Sequence, residues 1–389
     1  MNVPGMADPV ARALELGPEI AAASDAIERD RRIPPALLDR LHAARLFRML
    51  LPRSIGGDEV EPGAYLRAVE EVARHDGSVG WCLFVGCSSS LLAAYFAPDI
   101  ARTIWSDARA AVAWGPPTSA KAKAVAGGYR LTGRWQFASG CRHATWMGAH
   151  CQVIEPDGSL RLNAAGRPAV RSLLFPANKA TLLEDTWNVI GLIGTASDAY
   201  AVHDLFVPEE FSSTREEPTL RREPGRLYAF TQQGLYTVGS AGVALGMARA
   251  MLDAFTALAS RKTPYGLSPL AGNTSTQSGL AQWEAKLQAA RAFLLDTLAD
   301  IYACAGATAP IDLHDRALTR LAAVHAIQTA IETCDYAYRA AGSDAIFAGS
   351  AFERRFRDMH TLSQQTQARL ANFETVGRVL LGVHEGPFL

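Results

Sequence analysis

Apolar residues recur at intervals of three and four through the first third of the chain, over residues 9–110. This spacing puts them on one face of a helix, so the region is predicted to consist of amphipathic helices. Over residues 111–211 the pattern changes to short runs rich in Val, Trp, Tyr and Thr, interrupted by turn sequences such as Gly127-Gly128. Such runs predict a unit of β-strands connected by turns.

A charged segment at residues 211–226 carries two prolines and predicts a linker or an exposed loop. Helical periodicity then returns in four Ala- and Leu-rich stretches, which predict a helical bundle. These stretches cover residues 229–261, 278–306, 312–341 and 351–383. The predicted fold is therefore α+β and mostly α, in the order N-terminal helical domain (1–110), middle β domain of the barrel or sandwich type (111–212), linker (213–228) and C-terminal four-helix bundle (229–389).

The composition favours a large buried core and small organic ligands. The chain has 389 residues, of which 49% are hydrophobic and 20% charged, enough for two or three packed units. The formal net charge of -1 provides no sequence-wide attraction to nucleic acid or to an anionic membrane. We identify no signal peptide and no window of roughly 20 apolar residues, so we expect a cytoplasmic protein without a membrane span.

The cysteines and the glycine motifs exclude several kinds of site. The six cysteines stand singly in apolar surroundings, with no CxxC pair and no histidine at metal-ligand spacing, so we expect reduced core residues and no metal. The chain has neither a G-x-G-x-x-G after a predicted strand nor a G-x-x-x-x-G-K-[ST]. A pyridine nucleotide therefore has no predicted binding site.

Several stretches resemble the acyl-CoA dehydrogenase superfamily. Residues 33–57, with their Leu-Leu-Pro and Gly-Gly sequences, and residues 70–78, Glu-Glu-Val-Ala-Arg-His-Asp-Gly-Ser, are similar to its N-terminal helical domain. Residues 135–140, Trp-Gln-Phe-Ala-Ser-Gly, and residues 187–208 are similar to its middle β domain. The resemblance extends over nearly the whole chain and implies the same three-part fold.

Within that superfamily, the Trp-x-Phe-x-Ser-Gly sequence and the run Arg357-Asp358-Met359-His360 are similar to the branch of two-component flavin-dependent monooxygenases. The resemblance implies an oxygenase component that takes reduced flavin, FMN or FAD, from a separate NAD(P)H:flavin reductase. It implies that oxygen reacts to give a flavin C4a-hydroperoxide, which hydroxylates a small aromatic or heteroaromatic substrate of the phenol or indole type. It also implies a homo-oligomer, with a tetramer expected.

One absence separates this chain from the dehydrogenases of the superfamily. Those enzymes abstract an α-proton with a carboxylate that lies a few residues beyond the Arg-Asp pair, and the corresponding position here is Thr366. A threonine cannot act as that base, and the nearest downstream acid, Glu374, lies about two helical turns further on. A dehydrogenase with its base on another helix, an N- or S-oxygenase and a catalytically inactive scaffold protein remain as alternatives.

Two residues are predicted to carry the chemistry. Ser139 follows an apolar strand and precedes a glycine, and the resemblance implies that it hydrogen-bonds near flavin N5 or the peroxide; a serine of an ordinary turn is the alternative. His360 is expected to exchange a proton with the substrate, because an imidazole with a pKa of about 6.5 serves as an acid or a base near neutral pH. His143 is a second candidate for that role.

Flavin contacts are expected from the β domain and from an arginine and a loop that imply a neighbouring subunit. The expected residues are Trp114, Trp135, Phe137, Ala138, Ser139, Thr195, Ser197, Arg261, Gly342 and Ser343, with Thr118 near the first of them. Trp135 and Phe137 are expected to share one strand face, with plain sheet core as the alternative. The alternatives for Thr195 and Ser197 are local turns, and for Arg261 an exposed helix end.

Substrate contacts are expected from helices. His360 is one of them, and Trp81 and Phe84 are two others, because they follow the Asp76-Gly77-Ser78 turn on a helix that lines the substrate cavity in related hydroxylases. Buried helical core is the alternative for these two aromatic residues.

Overall fold

The computed structural model describes residues 8–116, 120–163, 166–214 and 220–383, so Thr118 lies outside the described residues. Helices form both ends of the described chain. The N-terminal group consists of α1 (Pro9–Asp30), α2 (Pro35–Ala43), α3 (Pro62–His75), α4 (Gly77–Ser90) and α5 (Pro98–Trp105). The C-terminal group consists of α6 (Gln232–Ala259), α7 (Thr274–Cys304), α8 (Leu313–Ala341), α9 (Glu353–Ser363) and α10 (Ala371–Leu380).

Polar caps and prolines determine where several of these helices begin. The carboxylate of Asp76 accepts the N–H of Val79 at 3.0 Å at the start of α4, and that of Asp312 accepts the N–H of Asp315 at 2.8 Å at the start of α8. Such caps satisfy N–H groups that have no partner inside the helix. Proline stands at one of the first two positions of α1, α2, α3 and α5, where no helical hydrogen bond needs its missing N–H.

The middle of the chain folds into a sheet. Its strands are β1 (Val112–Gly115), β2 (Lys121–Val125), β3 (Gly128–Trp135), β4 (Trp146–Ile154), β5 (Val170–Pro176), β6 (Thr181–Leu183), β7 (Ala199–Pro208) and β8 (Ser212–Ser213). Their order is β6-β7-β3-β2-β4-β5-β8, with β1 paired to β4. β3 and β7 are antiparallel, and Trp135 lies opposite Tyr200 at one end of the pair. The loop after β3 and the loop before β7 are therefore neighbours.

The helices from both ends of the chain share one hydrophobic core, whereas the sheet has a core of its own. In the helical core, α3 and α4 pack against α6. The sheet core contains Trp135 and Tyr200, whose rings stack with centroids 5.2 Å apart. Full burial of a large apolar side chain stabilises a fold by about 1.5–3 kcal/mol. The α+β, mostly helical fold predicted from the sequence is confirmed.

Three features differ from their predicted form. The stretch 351–383 is not one helix, because the chain turns between α9 and α10, where the Gln365 side chain accepts the N–H of Gln367 at 2.7 Å. The boundary of the predicted linker at residue 228 differs, since Leu227 and Tyr228 already belong to the helical core. Cys304 is exposed, whereas the other five cysteines are buried as expected.

Two helical stretches are long and apolar enough to cross a membrane by length and composition alone, Gly77–Tyr95 and Gln232–Ala259. Of their most apolar windows, 94% and 67% respectively are buried inside the protein. The helical core therefore already accounts for much of this hydrophobicity. Length and composition alone do not separate such a core helix from a membrane span.

Candidate active site

A continuous run of hydrogen bonds connects residues from three parts of the fold. The indole Nε1–H of Trp81, on α4, donates to Ser139 Oγ at 2.9 Å. Ser139 Oγ lies 2.7 Å from Ser197 Oγ, which in turn lies 2.7 Å from Thr195 Oγ1. The Thr195 hydroxyl donates to the Leu192 carbonyl at 2.8 Å. We call these five residues the hydroxyl chain; all are buried, and Ser139 is the most accessible, with 8% of its surface exposed.

Backbone hydrogen bonds hold together the two loops that supply the hydroxyls. The Ala138 N–H donates to the Asp198 carbonyl at 3.2 Å, and the Gly140 N–H donates to the Thr195 carbonyl at 2.9 Å. Gly140 has a φ of +78°, and a Cβ at this position would lie 2.8 Å from His143 Nε2. Glycine is suited to both constraints, so the residue after Ser139 allows the turn that brings Ser139 against the second loop.

A buried carboxylate joins the hydroxyl chain to helix α9. Asp358 Oδ1 accepts the N–H of Leu192 at 2.5 Å. The loop approaches α9 so closely that a Cβ on Gly191 would lie 2.1 Å from the Arg357 carbonyl oxygen. Burial, with a further contribution from the Asp76 carboxylate, raises the pKa of Asp358 to about 7. The sequence gives no role to Asp358 beyond its place in the Arg-Asp-Met-His motif, and its closeness to His360 in that motif is the signal that points to it.

Ion pairs attach α9 to α1. Glu28 on α1 accepts hydrogen bonds from Arg354 at 2.5 Å and from Arg357 at 2.6 Å. Burial acts in the opposite direction, but these two guanidinium groups lower the pKa of Glu28. All three side chains are about a quarter exposed, so each pair contributes roughly 1 kcal/mol or less. Their role is mainly to fix the orientation of the helix that carries Asp358 and His360.

His360 makes its contacts within the C-terminal helices. Its Nε2 lies 3.0 Å from Asp335 Oδ1 on α8, and its ring meets Phe356 edge-on with centroids 4.2 Å apart. The side chain is 35% exposed. A carboxylate partner favours the tautomer with hydrogen on Nε2, which leaves Nδ1 as the basic nitrogen. His360 thus stands two residues from Asp358 and outside the hydroxyl chain itself.

His143, the second candidate, lies beside the hydroxyl chain. Its ring packs against Gly140 and meets Phe47 edge-on with centroids 6.0 Å apart. Burial, together with the nearby His42, lowers the pKa of His143 to about 4, and burial likewise lowers that of His42 to about 4. Both imidazoles are therefore neutral at pH 7. His42, which sequence reasoning did not select, stacks on Phe47 at 4.7 Å.

Trp135 and Phe137 occupy different environments. β3 ends at Trp135, which is completely buried. Phe137 lies beyond the strand end with a φ of +60°, is 56% exposed and meets Trp187 edge-on at 5.9 Å. The prediction that Trp135 and Phe137 share one strand face was wrong, because the regular alternation of a strand stops before residue 137. The placement of Trp135 favours the alternative of plain sheet core.

Two other predicted aromatic contacts are interior residues. Trp114 is buried, with its ring 4.9 Å from that of His150. Phe84 is completely buried in the helical core and meets Trp81 edge-on at 4.8 Å. The structure thus gives Phe84 a supporting position behind Trp81, and it favours a packing role for both Phe84 and Trp114.

Arg261, Gly342 and Ser343 are exposed and come together at one end of the C-terminal helices. Lys262 Nζ donates to the Ala341 carbonyl at 2.8 Å, which ties the end of α6 to the end of α8. Gly342 has a φ of +64°, as a residue that ends a helix by reversing the chain often does. The end of α6, which carries Arg261, and the turn after α8, which carries Gly342 and Ser343, are therefore neighbours.

The surroundings of Ser139 fit an isoalloxazine ring. The Ser139 hydroxyl accepts from Trp81 and shares one hydrogen bond with Ser197, so either one lone pair or its hydrogen remains for a ligand. Phe137 and Ile190 are exposed apolar side chains on the two loops that meet at Ser139. A planar heterocycle with N–H and carbonyl groups needs this combination of apolar surface and a few fixed polar atoms. Among the described residues, no group of three or more His, Cys, Asp or Glu could hold a metal ion.

Comparisons with known proteins identify the family of this chain. Residues 15–98 match the family described as Acyl-CoA dehydrogenase, N-terminal domain, and residues 238–369 match Acyl-CoA dehydrogenase, C-terminal domain. The chain is 30% identical to an indole-3-acetate monooxygenase of Pseudomonas putida, over 96% of this chain and 95% of that protein. It is 28% identical to the oxygenase component of an FADH(2)-dependent resorcinol hydroxylase of Rhizobium sp. (strain MTP-10005), over 91% of this chain and 88% of that protein.

The fold is also that of a solved structure. A crystal structure of 3-HSA hydroxylase from Rhodococcus sp. RHA1 superimposes with a TM-score of 0.88, at 24% sequence identity and with 98% of both chains covered. The predicted family and the predicted use of reduced flavin and oxygen by an enzyme are confirmed. This chain belongs to the acyl-CoA dehydrogenase superfamily, in its branch of two-component flavin-dependent monooxygenases.

Proposed function

We propose that this chain is the oxygenase component that hydroxylates a small aromatic substrate of the phenol or indole type. The hydroxyl chain carries the proposal, because Trp81, expected at the substrate, donates to Ser139, expected at the flavin, at 2.9 Å. The residue expected at the substrate and the residue expected at the flavin are thus in direct contact. Oxygen transfer requires the two ligands to lie next to each other in this way. The related proteins that are named for indole-3-acetate and resorcinol support an aromatic substrate.

Each predicted residue has a distinct task. Reduced flavin, when bound, activates oxygen so that one atom enters the substrate and the other leaves as water, while the flavin leaves oxidised. Ser139, fixed by Trp81 and Ser197, holds the flavin edge, and the apolar surface of Phe137 excludes water from it. His360, whose Nε2 is engaged by Asp335, presents Nδ1 to accept a proton from a substrate hydroxyl or indole N–H.

The residue at the base position of the dehydrogenases and the nearest acid beyond it argue against dehydrogenase chemistry. Thr366 is exposed in the turn between α9 and α10. Glu374 is exposed on α10 and pairs with Arg378 at 2.6 Å. Neither residue supplies a buried carboxylate base. An N- or S-oxygenation would use the same flavin chemistry, and the atom that receives oxygen distinguishes it.

The partners follow from the same assignment. A separate NAD(P)H:flavin reductase supplies reduced FMN or FAD, as the related resorcinol hydroxylase is itself an oxygenase component. The chain forms a homo-oligomer, with a tetramer expected, because exposed apolar residues accompany the end that carries Arg261 and Gly342. These residues are Tyr265, Leu267, Ile346 and Phe347. Free and mostly buried cysteines suit the reducing cytoplasm.

The test is to mix the purified protein with photoreduced FMN or FAD, a panel of phenols and indoles, and 18O-labelled oxygen. The expected product carries one labelled oxygen on ring carbon, and the protein alone does not oxidise NADH. Label on nitrogen or sulfur would support the oxygenase alternative with a different substrate. Anaerobic bleaching of bound flavin by an acyl thioester would support a dehydrogenase, and the absence of any labelled product or flavin binding would support an inactive scaffold.

A further inference from the structure

The hydroxyl chain has a direction, because each hydroxyl has one hydrogen to donate. The indole of Trp81 can only donate and the carbonyl of Leu192 can only accept, so the two ends set the polarity. Thr195 donates its hydroxyl hydrogen to the Leu192 carbonyl at 2.8 Å. Ser197 must therefore be the donor in the hydrogen bond between Ser197 and Thr195. Ser139 must then supply the hydrogen between Ser139 and Ser197.

Ser139 consequently has no hydrogen left for a ligand. Its oxygen accepts from Trp81 at 2.9 Å, its hydrogen lies on the 2.7 Å contact with Ser197, and one lone pair remains. If the hydrogen bonds of the hydroxyl chain ran in the opposite direction, Thr195 would donate to Ser197 and could no longer donate to the Leu192 carbonyl. That arrangement has one internal hydrogen bond fewer, which corresponds to a preference of roughly fivefold to tenfold for the first direction.

We infer that Ser197 and Thr195 are positioning residues that make Ser139 an acceptor-only contact and so select reduced over oxidised flavin. The inference rests on the proposed function, in which Ser139 meets the flavin edge. A reduced isoalloxazine carries N–H at N5, whereas the oxidised ring presents only a lone pair there. The remaining lone pair of Ser139 can accept a hydrogen bond from the N5–H of reduced flavin. The same lone pair repels the N5 lone pair of oxidised flavin. Oxidised flavin is therefore held less tightly and can return to the reductase.

Two variants interrupt the hydroxyl chain at different points and have different expected signatures. Ser197→Ala frees the Ser139 hydrogen and leaves its lone pair, so oxidised flavin should bind roughly tenfold more tightly while reduced flavin binds as before. Thr195→Val leaves Ser139 as the nearest acceptor for Ser197, which reverses the direction. Ser139 then accepts from both Trp81 and Ser197, so oxidised flavin should bind roughly tenfold more tightly and reduced flavin roughly tenfold more weakly.

The experiment measures the Kd of oxidised and photoreduced FMN and FAD by anaerobic equilibrium dialysis with the full chain. The midpoint potential of the bound flavin is an independent readout, since a tenfold change in the ratio of the two Kd values is about 30 mV for a two-electron couple. Ser89→Ala and Thr333→Val are matched controls, because each removes a buried hydroxyl that donates to a carbonyl of its own helix, at 2.8 Å and 2.7 Å. Thr195→Ser, which restores the hydroxyl, should restore the wild-type ratio.

The outcomes separate this inference from the proposed function. The two different signatures, with unchanged controls, establish the acceptor-only assignment. A wild-type protein that binds flavin, with no change of ratio in either variant, overturns the inference and leaves the proposed function intact. A wild-type protein that binds flavin in neither redox state overturns both. Circular dichroism identifies a variant that does not fold, and the Kd values of the other variant then decide whether the inference holds.

Discussion

The hydroxyl chain and helix α9 are joined to each other but use different chemistry. The hydroxyl chain consists of neutral donors and acceptors at 2.7–2.9 Å. Helix α9 carries ionisable groups: Asp358, whose pKa is raised by burial to about 7, and His360, which is paired with Asp335. Hydroxyls keep their hydrogens throughout the neutral pH range, whereas carboxyl and imidazole groups exchange theirs. The proposed function thus assigns the holding of the flavin to one region and the handling of the substrate proton to the other.

The two regions meet at Leu192. Its N–H donates to Asp358 on α9, and its carbonyl accepts from Thr195 of the hydroxyl chain. A change in either region can therefore reach the other through the backbone of one residue. Substitutions that act on one region alone are the clearest way to test the separation.

Removal of the His360 imidazole should have the largest effect. His360→Ala eliminates an acid or base, so hydroxylation should fall roughly 100- to 10,000-fold, or about 3 to 5 kcal/mol of barrier. Oxygen consumption should continue and yield hydrogen peroxide in place of product, because the hydroxyl chain is unchanged. Product and peroxide are quantified together after one turnover with photoreduced flavin. Hydroxylation at wild-type rate and yield would show that His360 is only structural.

Asp358 should determine a pH dependence of stability. The folded protein keeps the Asp358 proton up to about pH 7, whereas the ordinary pKa is 3.8, so folding loses stability as pH rises through this window. Asp358→Asn has no such titration, and its amide oxygen can still accept the Leu192 N–H. The variant should gain on the order of 3 kcal/mol relative to wild type between about pH 4 and pH 8. Urea unfolding of both proteins at these two pH values measures the difference in unfolding free energy. An equal change of unfolding free energy with pH in the two proteins would contradict the prediction.

Ser139→Ala should have a smaller effect than the two preceding substitutions, and it changes the hydroxyl chain and not helix α9. It leaves the buried indole N–H of Trp81 and the Ser197 hydroxyl each short of a partner, so unfolding free energy should fall by about 1–3 kcal/mol. Flavin oxidation should become less coupled to hydroxylation, while the pH dependence assigned to Asp358 stays as in wild type. Thermal unfolding and the ratio of peroxide to product measure the two effects. A shifted pH dependence would mean that the two regions are not separable.

Arg261→Ala should have the smallest effect on the fold, because the side chain is exposed and lies outside both regions. The unfolding free energy should change by less than about 0.5 kcal/mol. If Arg261 contacts flavin across a subunit interface, flavin affinity should fall several-fold without any loss of coupling. Calorimetric titration with FMN and FAD, alongside light scattering, checks both points. Unchanged affinity for both flavins would remove Arg261 from the site.

Local patterns predicted one C-terminal helix closely and missed a break in another. The stretch 312–341 was predicted within one residue of α8, because Asp312 caps it and Gly342 ends it. The single helix predicted at 351–383 was wrong, since its break depends on side-chain bonds of Gln365 and Asn372 to the backbone. Such bonds compete with helical ones and leave little trace in hydrophobic periodicity.

The amino-acid sequence by itself determined the order of helical and β regions, the family, the threonine in place of a catalytic carboxylate, and the selection of Ser139 and His360 as candidates. These depend on periodicity and short motifs, which are local. Only the tertiary structure decided that Trp81, Ser139 and Ser197 bond to one another, that Asp358 holds the Leu192 N–H, and that Trp135 is interior. Hydrogen-bond direction and a raised carboxyl pKa arise from burial and from partners distant in sequence, so they exist only after the chain has folded.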